Sequence, residues 1–163
     1  MRLACISIRQ PWALCITHGG KRVENRVSRT HRSDGVPVQP TAHRGPICLH
    51  TSRRIDSKGL RDPRIQDLMA RLGPEVTMPT GAIVAIAHIV DVHYDTGTCC
   101  GVWAARGQWH LALSSVQVLD TPVPARGALS LPWFAPSSVT TQVLDQIKLQ
   151  DTAAQALEGK ESR

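Results

Sequence analysis

The sequence predicts a mixed α+β fold built around a curved or closed β-sheet. Apolar β-like runs recur as far as residue 133. The longest, residues 82–93, alternates small alanines with branched residues, as a face crowded by sheet curvature requires. Short segments with helical spacing and their own start and stop signals stand between the runs. At 163 residues the chain can bury one real hydrophobic core, so a single domain is the expectation.

Residues 3–8 read as a buried strand, which Arg9-Gln10-Pro11 turns into a first helix over residues 10–18. Pro11 suits the first helical position, where a missing N–H has no partner to lose, and Gly19 offers a left-handed stop. Residues 22–26 read as a strand whose alternation puts Arg22, Glu24 and Arg26 on one face and Val23 on the other. Residues 28–44 are rich in Ser, Thr, Pro, Gly, His and Arg and have no period, so they form a long loop. Residues 46–52 are a strand that turns polar at its end. Asp62 caps a helix that runs to Gly73, with Pro63 in its first turn and Ile65, Leu68, Met69 and Leu72 as its core stripe. A turn at 78–81 leads into the central strand, 82–93. A loop at 95–101, a strand opening at 107–113 and continuing to Leu119, and a short last strand at 128–133 complete the sheet. A helix starts near Ser137 or Ser138, with Val139, Val143, Leu144 and Ile147 as its apolar positions, and residues 150–163 are expected to fray. This divides the chain into a domain over residues 1–136 and a helix with a polar tail over 137–163.

Chemistry concentrates in Gly19-Gly20-Lys21-Arg22-Val23-Glu24-Asn25-Arg26, between the first helix and the second strand. If Lys21 still lies in the turn, its ammonium meets the Glu24 carboxylate at a helix-to-strand corner flanked by guanidinium groups. That arrangement suits a pocket for a polar or anionic ligand, and the same spacing also fits a solvated, salt-bridged strand edge. A Walker-type phosphate loop is excluded, because Cys15 stands where glycine is needed and Arg22 follows Lys21 in place of Ser or Thr. Gln10 and Trp12 join the ligand-contact candidates from the first helix. His50, Thr51 and Ser52 join them where the third strand turns polar, with local backbone bonding as the alternative for the hydroxyls. Trp109 and His110 could stack on and bond a base, or Trp109 could pack against the core edge. The loop arginines and histidines, Arg29 among them, fit either phosphate contacts or plain solvation.

The chain carries 19 Lys and Arg against 13 Asp and Glu, a formal charge of +6, which permits a nucleic acid or other polyanion as partner. Aromatic residues are too few for a recognition-motif sheet that stacks several bases. Cys5, Cys15 and Cys48 read as small core residues in a reducing compartment. His93, Cys99, Cys100 and His110 raise zinc, but adjacent cysteines do not readily serve one tetrahedral ion as well-spaced ligands do, so no metal and no cofactor is expected. No apolar run reaches membrane-spanning length, and no long apolar leader precedes the first strand. The expectation is a soluble, cytoplasmic protein with no membrane partner.

Six stretches, in order, resemble the ASCH domain family: residues 6–12, 20–26, 44–52, 79–84, 109–113 and 123–127. Together they cover about residues 3 to 134. The resemblance implies a PUA-like fold, a small twisted β-barrel with short helices at its rim, and a cleft in which Lys21 and Glu24 face a ligand. Family members are RNA-associated, some small relatives deacetylate N4-acetylcytidine nucleosides, and others act as ribonucleases. Glu24 stands where the amidohydrolase branch carries a threonine. The expected function is therefore an RNA- or nucleotide-binding module, with Arg26 and Arg29 near phosphates and Trp109 or Trp12 as a stacking face. The alternative is a hydrolase of a modified nucleoside or RNA using Lys21 and Glu24, with Thr51, Ser52, Ser114 and Ser115 as possible hydroxyls. A third reading is an adaptor whose C-terminal helix docks a partner protein.

Overall fold

The computed structural model describes residues 2–28 and 30–161, with side chains described as far as residue 155. Among the described residues six strands and three α-helices follow one another as β1 (Ala4–Gln10), α1 (Trp12–His18), β2 (Val23–Arg26), β3 (Gly45–Ile55), α2 (Pro63–Leu72), β4 (Ala82–Tyr94), β5 (Trp109–Pro124), β6 (Trp133–Phe134) and α3 (Ser137–Glu161). The strands form one mixed sheet in the order β2-β5-β4-β3-β1-β6, with β1 parallel to β3 and the other pairs antiparallel. Among the described residues no ladder joins β2 to β6 or to β1, so the sheet is open where a barrel was expected. Its edge strands are too short to close it: β2 has four residues and β6 two.

Side-chain alternation sends the two faces of this sheet into two cores. Ile6 and Ile8 of β1 and Ile47 and Leu49 of β3 join Leu111 and Leu113 of β5 in one core, which α1 covers with Ala13 and Ile16. The intervening Cys5 and Cys48, register partners across β1 and β3, join Ile83, Leu119 and Trp133 in the other. There α3 docks through a fully buried Val143 flanked by Val139, Leu144 and Ile147. A third cluster packs Leu14 and Cys15 of α1 against Ile65 and Leu68 of α2. Asp62 caps α2 as expected, its Oδ1 accepting the Arg64 N–H at 3.0 Å.

Three local expectations need correction. The left-handed residue after α1 is Gly20 (φ +68°), while Gly19 has φ −102°. Gly19 is required by contact instead, because a Cβ there would stand 2.7 Å from Leu68 Cδ2 and 2.9 Å from Cys15 O. The last strand is only Trp133–Phe134, and residues 128–132 are loop, since Pro132 has no N–H for a ladder. Helix α3 continues to Glu161 where fraying from residue 150 was expected. Gln150 ties it to β5, its Nε2 donating to Val118 O at 2.9 Å and Asp120 Oδ1 at 2.7 Å. No helix among the described residues is long and apolar enough to cross a membrane.

Candidate ligand-binding site

The corner between α1 and β2 brings Lys21 and Glu24 together. The Lys21 N–H returns to Cys15 O at 3.0 Å, which folds the lysine under the end of α1. Its Nζ lies 3.3 Å from Glu24 Oε2 and also donates to Val23 O, with 1% of the residue exposed. Glu24 Oε1 in turn pairs with Arg26 Nη2 at 3.2 Å, and the same nitrogen donates to Ser7 O at 2.7 Å. Arg26 thereby spans from β2 to β1, which no ladder joins. Two buried donors beside this chain find no acceptor among the described residues: Arg26 Nε and Trp109 Nε1. They belong to register partners on β2 and β5, so they lie on one face of neighbouring strands.

Ser7 is also where the chain of contacts reaches an open cleft. This cleft, about 500 Å³, is lined by Ser7, His50, Ser52, Arg53, Gly81 and residues 125–129. His50 forms its buried floor. Its Nε2 lies 3.1 Å from Ala125 O, which can only accept, so Nε2 carries the proton and Nδ1 is an acceptor 3.1 Å from Ser7 Oγ, competing for that hydroxyl's one proton with Ala128 O, also at 3.1 Å. Trp133 Nε1 donates to the same hydroxyl at 3.0 Å and packs edge-on against the imidazole. Burial pushes the His50 pKa below its usual value, favouring the neutral ring. Gly127 closes over this group, and a Cβ there would fall 2.4 Å from His50 Cε1 and 2.7 Å from Ser7 Oγ. No larger residue fits.

Arg53 and Arg126 stand exposed at the cleft wall, and neither pairs with a carboxylate among the described residues. The long loop differs. Arg32 pairs with Asp34 at 3.4 Å and Arg44 with Asp91 at 3.6 Å. Among the described residues the two arginines of the cleft wall are thus uncompensated, as is the neighbouring exposed Arg54.

Of the sequence-predicted residues, His50 and Ser52 line the cleft, and Lys21, Glu24 and Arg26 form the layer that leads to it through Ser7. Thr51 is fully buried and donates to Ala82 O at 3.0 Å. Gln10 serves α1, its Oε1 accepting the Leu14 N–H at 3.0 Å and its Nε2 donating to Pro79 O at 3.2 Å. Trp12 donates to Asp56 Oδ2 at 2.9 Å. Trp109 packs against the first core and edge-on to Tyr94, and His110 is fully buried beside Cys99. At that cysteine the Thr96 hydroxyl and backbone hold the thiol down to about 6, whereas burial pushes the Cys15 thiol up to about 11. Arg29 lies outside the described residues. Sequence reasoning missed Ser7, Arg53, Arg126 and Gly127 as site residues, although Ser7, Arg126 and Gly127 stand inside the stretches that carry the resemblance; Arg53 had no such signal.

No family model matches the chain, and no curated protein matches it. Among solved structures it is similar to a point mutant of ZmASCH from Zymomonas mobilis, at 14% identity and a TM-score of 0.51 over 89% of this chain and 98% of that one. The ASCH protein of the same organism, without that mutation, aligns at 14% identity and a TM-score of 0.48 over 87% and 93%. The first likeness shows the fold, and the chain has the fold of ASCH domain proteins.

Proposed function

We propose that the chain is an RNA- or nucleotide-binding ASCH module. The observation that carries this reading is the cleft with two unneutralised arginines on its wall and a neutral, hydrogen-bonded histidine on its floor. Arg53 and Arg126 suit phosphate oxygens, to which a guanidinium offers a planar fork of donors. Ser7 and Ser52, whose hydroxyl protons go to His50 or Ala128 O and to Arg54 O, offer their oxygens as acceptors to a base or ribose edge. Beneath them the Lys21–Glu24–Arg26 chain fixes Ser7 through its carbonyl and leaves Arg26 Nε for an acceptor. In this reading Lys21 and Glu24 act through Arg26, since their own polar atoms are already engaged with each other. The fold shared with ASCH proteins supports the reading at the level of architecture only. Fluorescence anisotropy with a labelled single-stranded RNA tests it. Binding at low salt that weakens as salt rises, and weakens further in Arg53→Ala/Arg126→Ala, is the expected result. No binding at low salt, or binding indifferent to both arginines, overturns it.

One contact favours hydrolysis of a modified nucleoside or RNA as a second reading. Ser7 Oγ lies 3.1 Å from His50 Nδ1, an acceptor that shares the hydroxyl proton with Ala128 O, while a backbone carbonyl orients the far side of the ring. Lys21 and Glu24, the pair expected to act, would support this dyad through Arg26. Assay of N4-acetylcytidine turnover beside Ser7→Ala separates the readings. Turnover lost in Ser7→Ala makes the cleft an active site, and absence of turnover with RNA binding retained leaves a binding module.

A further inference from the structure

A second constellation lies away from the cleft, where β4 ends and β5 begins. His93 and His110 are register partners on these strands, with rings edge-on at 5.5 Å. The loop between the strands brings Cys99 and Cys100 to them. The four ligand atoms, two imidazole nitrogens and two sulfurs, all lie within 4.8 Å of one another. The geometry points to a structural zinc site formed by His93, Cys99, Cys100 and His110.

Both imidazoles are oriented by hydrogen bonds. His110 Nε2 lies 2.8 Å from Ala105 O, which can only accept, so that nitrogen holds the proton and Nδ1 presents its lone pair to Cys99 Sγ at 3.1 Å. His93 Nδ1 lies 2.6 Å from Asp91 Oδ2, which leaves Nε2 facing Cys100 Sγ at 3.5 Å. Each histidine thus has its outer nitrogen tied by a carboxylate or carbonyl and its inner one aimed at a sulfur, as metal-bound histidines are held. Donor separations of about 3.3–3.8 Å follow from tetrahedral zinc with its usual bond lengths, so the observed cluster needs only a small adjustment to close.

Adjacency of the two cysteines is resolved by the backbone. Cys100 adopts φ 61°, ψ 14°, a left-handed conformation that residues with a Cβ rarely adopt and that persists where the surroundings demand it. Gly101 follows at φ +67°. This turn brings both sulfurs to one point, which an extended pair could not do. A two-cysteine, two-histidine donor set matches zinc, and four protein ligands leave no open position, so the role is structural rather than catalytic. On binding, each thiol releases its proton to solvent and coordinates as thiolate.

Position explains what the ion would hold. The loop it closes is clamped to β2 by Asn25, whose Nδ2 donates to Trp103 O at 2.8 Å and whose Oδ1 accepts the Ala105 N–H at 3.0 Å. Arg64 of α2 covers the Trp103 ring at 4.6 Å. Zinc would therefore fix the loop, and through it the strand that carries Glu24 and Arg26.

The test is titration of the reduced, chelator-stripped full chain with Co²⁺, followed by Zn²⁺. Expected are the charge-transfer and tetrahedral ligand-field absorptions of thiolate-bound cobalt, saturating at about one equivalent and abolished by zinc. Cys99→Ser/Cys100→Ser should lose the bands. Asp91→Ala, an exposed change that leaves all four ligands in place, should keep them with metal affinity weakened about 10–100-fold. Absence of thiolate bands in the folded wild-type chain, or bands that survive the double cysteine variant, overturns the assignment.

Discussion

Gly127 shows how one absent side chain sets the cleft. A methyl group there would sit 2.4 Å from His50 Cε1 and 2.7 Å from both His50 Nδ1 and Ser7 Oγ. Gly127→Ala must push His50 off Ser7 or lift the 125–129 segment, and a forced overlap of this kind costs about 1–3 kcal/mol. Urea denaturation should show that loss, and RNA affinity should fall with it; unchanged values for both would mean that the segment moves freely. His50 also sets a pH dependence. Burial lowers its folded pKa below the ordinary 6.5, and the hydrogen bond to Ala125 O, which favours the charged ring, offsets that only in part. The unfolded chain then binds the extra proton first, so the stabilisation is present above about pH 6.5 and is lost as pH falls toward the lower folded value. Stability measured from pH 8 downward should drop through that window in the wild type and drop less in His50→Gln. At Lys21 the charge is buried at 1% exposure against Glu24. Lys21→Met takes one of two ion partners from Glu24 and leaves Arg26 Nη2 at 3.2 Å, so its cost in urea denaturation should fall below the about 3–5 kcal/mol of a fully orphaned buried charge, and any loss of binding in that variant must be read beside its stability.

At the scale of elements, α3 is held by polar groups that its apolar stripe does not reveal. Val143 anchors the helix start, but farther along Gln146 exchanges bonds with Thr121, donating to its O at 2.9 Å and accepting from its N–H at 3.0 Å, and Gln150 donates to Val118 O and Asp120. Gln150→Ala removes both of the last contacts, at about 0.5–1.5 kcal/mol for each hydrogen bond. Hydrogen exchange should accelerate in the turns after residue 150 and stay unchanged in the turns around Val143. This is also why the helix end was not legible in the sequence. Residues 150–155 have no apolar period, and side-chain bonds to a strand some 30 residues away leave no local signal. The strands were legible, because Ile6-Cys5 and Ile47-Cys48 alternate between two cores with period two. The charged corner was legible for the same local reason, since Lys21 and Glu24 are three residues apart. The cleft was not: Ser7, His50 and Arg126 come from three distant segments, and only the sheet order brings β1 beside β3 and lays the 125–129 segment over both.

At the scale of the whole molecule, a formal charge of +6 says little until its cations are sorted by partner. Arg32 and Arg44 of the long loop are each matched by a carboxylate, whereas Arg53 and Arg126 on the cleft wall are not. A polyanion gains most where cations are uncompensated, because a paired arginine must first give up its carboxylate. Counterion release makes the distinction measurable: for single strands each phosphate neutralised adds about 0.7 to the slope of log affinity against log salt. Arg53→Ala and Arg126→Ala should therefore each flatten that slope by about 0.7, and Arg32→Ala should leave it nearly unchanged. The reverse pattern, with the loop substitution flattening the slope and the cleft substitutions leaving it intact, would move the phosphate contacts out of the cleft and onto the long loop. Binding would then no longer depend on the Ser7–His50 floor or on the 125–129 segment, and Gly127→Ala, which disturbs these, should leave RNA affinity untouched.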